Sequence, residues 1–263
     1  MSELLVAVGL LAAVLAASGI VFHYSMDAQR TAGATAEIMR TLRAITDQLN
    51  ADFAGIQKNA PMIMKFEGAN NLRLDSVVFF AVGDFQTTNL YPNDSVRGNV
   101  ARIYYGEANA PDPNSENPLI RRNKILARKQ VILAPFRTDN SNEFEPNSLI
   151  QEMEEYLNSP DVVGDRWLRR PDEIDPNDSN DIPMYFAKGV DNFSIMVDAD
   201  VNSTSHSIDW WPKANDMPAD MNDYYSLKPS RYPDLIKFTF TLYDSKGIIK
   251  NGRRFEHIVY IGN

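Results

Sequence analysis

Cysteine is absent from all 263 residues. That absence removes disulfides, thiolate zinc sites and cysteine nucleophiles together. It does not exclude an extracytoplasmic location, because a core built from some two hundred residues needs no covalent staples. Basic charge is scarce: 26 Lys and Arg stand against 35 Asp and Glu, for a net charge of −9 and a pI near 4.9. An acidic surface repels phosphate backbones, so nucleic acid is not an expected partner. No proline occurs before Pro61, and no Asp, Glu, Lys or Arg between Leu4 and Tyr24. Motifs of catalysis are missing too. None of His23, His206 and His257 lies in an H-E-x-x-H helix, and there is no G-x-S-x-G elbow, P-loop or G-x-G-x-x-G. The chain is not read as an enzyme, no catalytic residue is assigned and no cofactor is expected.

What is present begins with the uncharged run. Its 21 residues, Leu4 to Tyr24, follow directly on Glu3. At about 1.5 Å per residue they form a rod of about 31 Å, close to the hydrocarbon thickness of a bilayer. A helix satisfies its own backbone in lipid, so residues 4–24 are the candidate membrane span. The helical pattern then continues. Ile38, Leu42, Ile45, Leu49, Phe53 and Ile56 are spaced four, three, four, four and three apart, which places them on one stripe. Glu37, Arg40, Arg43, Asp47, Gln48 and Asp52 are read onto the opposite face. The spacing predicts one helix over 1–56, apolar all round in its first half and amphipathic in its second. Its weak place is the segment around Gly33, which lowers helix stability by about 1 kcal/mol relative to Ala. Pro61 forbids easy continuation.

Two other readings of this segment stay open. A cleaved signal peptide has a basic start, a shorter apolar core and a small-residue cleavage site. Here the run is long and lacks a basic start, although Ala16 to Gly19 imitates such a site. A plain signal anchor tethering an unrelated periplasmic enzyme or carbohydrate-binding domain satisfies the same hydropathy. Orientation is unresolved as well. Arg30, Arg40 and Arg43 follow the span and none precedes it, which taken literally puts the large domain inside.

Residues 57–263 read as a β-rich globular head, since 44% of the chain is hydrophobic and 10% aromatic, too much for disorder. Residues 57–75 read as a mixed connector. Ser76 to Val82, Val100 to Tyr105, Lys124 to Leu133, Phe193 to Val197, Leu235 to Tyr243 and Arg254 to Ile261 read as strands. In Leu235 to Tyr243, Ile236, Phe238, Phe240 and Leu242 fall on one face. Ser148 to Leu157 reads as a short helix, with Ser148 at the N-cap and Gln151 at the capping-box spacing. The later strands follow one another through turns such as Asp244 to Gly247, without crossover helices. The fold class expected is therefore α+β, a long N-terminal helix packed on an antiparallel sheet.

A long N-terminal helix with a Glu at its start, followed by a β-rich head, resembles the type IV pilin superfamily. Glu3-Leu-Leu-Val-Ala-Val-Gly-Leu-Leu-Ala12 is similar to the mature N-terminus of that family, where Phe-Thr-X-X-Glu follows a Gly cleaved by prepilin peptidase. There the Glu is the fifth mature residue. Here it is the third, so Met1-Ser2 align with the two X positions, and a basic leader ending in Gly-Phe-Thr is expected upstream. That leader also resolves the orientation. Within the superfamily the head resembles the minor pseudopilin J subunit of type II secretion systems. The matching pieces are Val77 to Val82, Val100 to Gly106, Leu119 to Arg122, Gly189 to Asp198, Asp209 to Pro212 and Tyr232 to Phe240 with its following turn. Residues 107–118, 138–183 and 199–231 look longer than the family needs.

The resemblance implies a bacterial inner-membrane protein, single-pass with a periplasmic head, that enters a pseudopilus or a pilus. Its partners would be other pseudopilins or pilins through the N-terminal helix, after processing by prepilin peptidase. It implies that Glu3 pairs with the N-terminal amine of a neighbouring subunit, and that Leu4, Leu5, Val8, Gly9, Ala12, Ala16 and Gly19 pack against other helices. A minor or major subunit of a type IV pilus is the nearest alternative.

Three further motifs stand in the head. Asp175, Asn177, Ser179 and Asp181 alternate as in a calcium loop, but Asn180 stands where the turn glycine belongs and Phe186 where the twelfth-position Glu belongs. A solvated acidic loop is the expectation, and no metal site is assigned. Asp198, Asp200 and Asn202 form a weaker version of the same pattern. Trp210-Trp211-Pro212 fits a glycan platform or partner contact, but closing the end of a core is the favoured reading.

Overall fold

A computed structural model of the chain describes residues 2–69, 72–87, 96–108, 124–133, 156, 158–159, 167–168, 185–198, 208, 210–212, 220–227 and 232–261. One helix, α1, runs unbroken from Ser2 to Ala54, 53 residues, or about 80 Å at 1.5 Å per residue. Gly33 does not interrupt it. Ala32, Ala34 and Ala36 around it are strong helix formers, and a Cβ at Gly33 would meet nothing within 4 Å. Residues 2–33 are all exposed, and burial begins at Ala34. From there Ile38, Ile45, Leu49 and Phe53 are buried, with Leu42 and Ile56 packed half-buried along the same stripe. The helix stops where backbone meets backbone. Val82 N–H donates to Gly55 O at 2.7 Å and Gln57 N–H to Phe80 O at 2.7 Å. A Cβ on Gly55 would lie 2.3 Å from Val82 O.

Among the described residues the head has two antiparallel sheets. The larger contains β1 (Met62–Ala69), β2 (Leu72–Arg73), β3 (Ser76–Thr87), β4 (Val96–Glu107), β5 (Ile125–Leu133) and β6 (Tyr185–Lys188) in the order β2-β1-β3-β4-β5-β6. A further strand, β9 (Asp220–Leu227), pairs with β1 from Met62↔Leu227 to Ala69↔Asp220. The smaller sheet contains β7 (Val190–Asp198), β8 (Trp210–Trp211), β10 (Leu235–Leu242) and β11 (Arg253–Tyr260), in the order β11-β10-β7-β8.

The main core lies between the helix stripe and the inner faces of both sheets. Val77, Phe79 and Ala81 of β3, Ile103 and Tyr105 of β4, Phe193 and Ile195 of β7, and Phe238 and Phe240 of β10 meet there. Phe53 packs between Phe79 and Phe238, with ring centroids 4.2 and 5.5 Å away. The large sheet is covered on its other face too. Val78 and Phe80 of β3 and Tyr104 of β4 turn to a second cluster with Trp167, Leu168 and, at its margin, Tyr156. Burial on both faces is why Val77 to Ala81 reads as a continuous apolar run rather than an alternating one.

Several expectations need correction. Residues 57–75 are not a plain connector but carry β1, in which Met62, Met64 and Phe66 face the main core. Pro61 does not end the helix, which has already stopped at Ala54, but stands directly before that strand, a position where its missing N–H is tolerated. The stretches that look longer than the family needs had no expected role, and their described residues belong to the sheets and to the core behind them. Within 199–231 lie β8 and β9. Within 138–183, Trp167 and Leu168 seal the back of the large sheet. At the edge of 107–118, Glu107 closes β4 and is buried. The expected helix from Ser148 to Leu157 lies outside the described residues except for Tyr156.

Candidate assembly site

Two parts of the molecule deserve a functional reading: the bare half of the helix and the joint that fixes the other half to the head. The bare half is apolar all round. Leu4 and Leu5 are each 74% exposed, and Val8, Leu11, Leu15 and Ile20 are exposed with them. Among the described residues this is the one helix long and apolar enough to cross a membrane, with a mean hydropathy of 2.7 over its most apolar window. Glu3 stands exposed in its first turn. Gly9, Ala12, Ala16 and Gly19 are exposed too. A Cβ at Gly9 or Gly19 would meet nothing within 4 Å, so neither glycine is required by contacts inside the chain. The helix side chains assigned to assembly thus share one exposed segment, ahead of the first buried position, Ala34.

The joint centres on a residue that sequence reasoning misplaced. Asp52 is buried, not on a polar face. Arg128 of β5 holds its carboxylate in a fork, Nε to Oδ2 at 2.7 Å and Nη2 to Oδ1 at 2.8 Å. Tyr105 of β4 donates its hydroxyl to Oδ2, and Gln48 donates to Oδ1 at 2.9 Å. Arg128 reaches on to Gln130 Oε1 at 3.0 Å. The Asp52 side chain is 4% exposed and that of Arg128 17%, so this is a charge-assisted fork inside the protein. Burial, reinforced by the Asp52 charge, pushes the Tyr105 hydroxyl well above its ordinary value and keeps it a donor. Burial works to lower Arg128, but its bonds to Asp52 outweigh that and raise it. The signal was in the spacing. Asp52 follows Ile45 by seven residues, which puts it about 20° from Ile45 around the helix, inside the apolar stripe.

Elsewhere on the same half, polar contacts tie the helix to the small sheet. Ser245 N–H donates to Glu37 Oε1 at 2.9 Å, Arg253 Nη2 to Thr35 Oγ1 at 3.1 Å, and His257 Nε2 lies 2.9 Å from Asn50 Oδ1. The two sheets are clasped by buried carboxylates. Asp75 accepts from Ile195 N–H at 2.8 Å and from Arg73 Nε at 3.0 Å. Glu107 accepts from Phe193 N–H at 3.0 Å.

The remaining candidates fare unequally. Asp175, Asn177, Ser179 and Asp181 lie outside the described residues, as do Asp200, Asn202 and His206. Among the described residues no three His, Cys, Asp or Glu come together as a metal site. Trp211 packs edge-on against Phe66 with centroids 5.3 Å apart, closing one end of the core. Trp210 lies under the Lys237 ammonium, 4.5 Å from the ring centroid. Compared with known proteins, the chain matches no family model, no curated protein and no solved structure.

Proposed function

We propose that the chain is a membrane-anchored assembly subunit, a minor pseudopilin-like component of a type II secretion pseudopilus, with its head on the periplasmic side. The observation that carries this is the division of one continuous helix. Residues 2–33 are bare, and residues from Ala34 onward are built into the head. A tether for an enzyme needs only to hold its cargo near a membrane, and a flexible linker suffices for that. Here the apolar stripe and the Asp52–Arg128–Tyr105 joint lock helix and head into one body. The orientation of the head therefore follows that of the helix, as a subunit that stacks with others requires. The resemblance of Glu3 to Ala12 to a pilin N-terminus adds the chemistry. An ionised carboxylate withdrawn from water costs several kcal/mol unless paired. In the proposal Glu3 meets the N-terminal amine of a neighbouring subunit and so sets the axial register between helices. Gly9, Ala12, Ala16 and Gly19 let those helices approach closely.

The test is Glu3→Leu in the host cell, read by co-purification with sibling pseudopilins and by thermal unfolding of the variant. Lost co-purification with an unchanged melting curve is the expected result. Normal co-purification contradicts the role assigned to Glu3.

A further inference from the structure

The connection between β10 and β11 is the described part of the head that touches the helix nearest its bare half. Ser245 bonds Glu37 and Arg253 bonds Thr35, one residue beyond the first buried position, Ala34. This connection carries Lys246 and Lys250, β11 opens on Arg253 and Arg254, all four are exposed, and residues 245–255 hold no carboxylate. Such a run is notable in a chain of net charge −9. The turn itself is firmly shaped. The buried Asp244 carboxylate accepts from the N–H groups of Lys246, Ile248 and Ile249 at 3.2, 2.9 and 2.8 Å. Among the described residues three carboxylates of this region have partners of their own. Asp27 lies 3.3 Å from His23 and 3.9 Å from Arg30, Glu37 holds Ser245, and Glu256 lies 3.9 Å from Arg254.

The geometry points to anionic phospholipid headgroups as the ligand of this basic turn, an inference that rests on the membrane-anchored reading above. From Tyr24, the end of the uncharged run, to Thr35 the helix rises about 16 Å. The headgroup layer takes up roughly 5–8 Å of that height. What remains is about one Debye length at physiological salt, before the reach of the Lys and Arg side chains or any helix tilt is counted. Arg253 stands at that height, with Lys246 and Lys250 on the turn just before it, within the field of an anionic surface. Because helix and head are one body, their attraction tilts the whole subunit and seats the head against the bilayer.

The absence of cysteine makes the test clean. Asn251→Cys gives the full chain a single labelling site on the turn, and energy transfer to a lipid-borne acceptor reports its height. The chain is reconstituted in vesicles of phosphatidylcholine, with and without phosphatidylglycerol. The expected result is stronger transfer with phosphatidylglycerol, reversed by added salt. Lys246→Gln with Lys250→Gln, which leaves the Arg253–Thr35 bond in place, should shift the docked-to-free ratio by about fivefold or more. Flotation of the chain with both vesicles, but with transfer independent of lipid charge, overturns the inference alone. Failure to float with either overturns the membrane-anchored reading and the inference with it.

Discussion

Removing the Asp52 carboxylate should destabilise the head strongly, because it breaks the buried fork of the helix–head joint. In Asp52→Leu the Arg128 guanidinium loses both bonds of its fork and Tyr105 loses its acceptor, while both remain largely buried. Breaking one side of a buried ion pair costs about 3–5 kcal/mol, because the surviving charge is left uncompensated. For a head of this size each kcal/mol moves the melting temperature by about 2–4 °C, so the expected drop is roughly 6–20 °C. Arg128→Met should cost a similar amount. The triple replacement Asp52→Leu, Arg128→Met and Tyr105→Phe should recover most of the loss, because it removes all three buried members together and the remaining partners, Gln48 and Gln130, are half-buried and can turn to water. The assay is thermal unfolding of a chain starting at Asp27, since residues 2–33 make no part of the core. Single variants within about 0.5 kcal/mol of the parent, or losses that simply add, would refute the reasoning.

Other outcomes follow from the same contacts. Gly189 has φ +76°, and its Cβ would lie 2.5 Å from Tyr243 O; Gly189→Ala should destabilise by about 1–3 kcal/mol, seen as a lowered denaturation midpoint. Gly55→Ala drives a Cβ to 2.3 Å from Val82 O and should loosen the helix from β3, read as faster amide exchange at Gln57 and Val82. Burial raises the Tyr105 and Tyr232 hydroxyls, so stability should be intact below the ordinary tyrosine value near 10 and fall as pH rises above it; Tyr232→Phe should flatten that fall in an alkaline unfolding series. Asp244 runs the other way. Burial works to raise it, but its backbone N–H partners lower it overall. Its contribution is present above the ordinary carboxylate value near 4 and is lost as pH falls below it, so Asp244→Asn should shallow the acid limb.

Local pattern carried the sequence reading as far as local pattern reaches. The two halves of α1 were visible because hydropathy and a 3.6-residue period are properties of neighbours in the chain. The strands from Ser76 and from Leu235 were visible for the same reason: apolar runs and strict alternation. β1 was missed although Met62, Met64 and Phe66 alternate, because Pro61 and the lack of β-branched residues beyond Ile63 made the segment look like a link. Its long partner β9 begins more than 150 residues later, at Asp220, and no local signal joins the two. Asp52 was missed because its charge outweighed its angle on the wheel, and its partner Arg128 is 76 residues away. The back-face cluster around Trp167 was hidden for a similar reason, since a polar stretch can still supply a few large residues to a distant sheet. Glu3 and the small residues of the bare half read as an assembly surface from sequence, and their exposure in the single chain fits that reading without testing it.

The measurement closest to the central claim is the mass of the N-terminal peptide of the protein isolated from its host membranes. The account predicts a methylated start of Phe-Thr-Met-Ser-Glu, the product of prepilin processing two residues upstream of Met1. An unprocessed start at Met1 would contradict the assembly reading and favour a plain anchor, and a start near residue 20 would mean that the apolar helix is discarded on export.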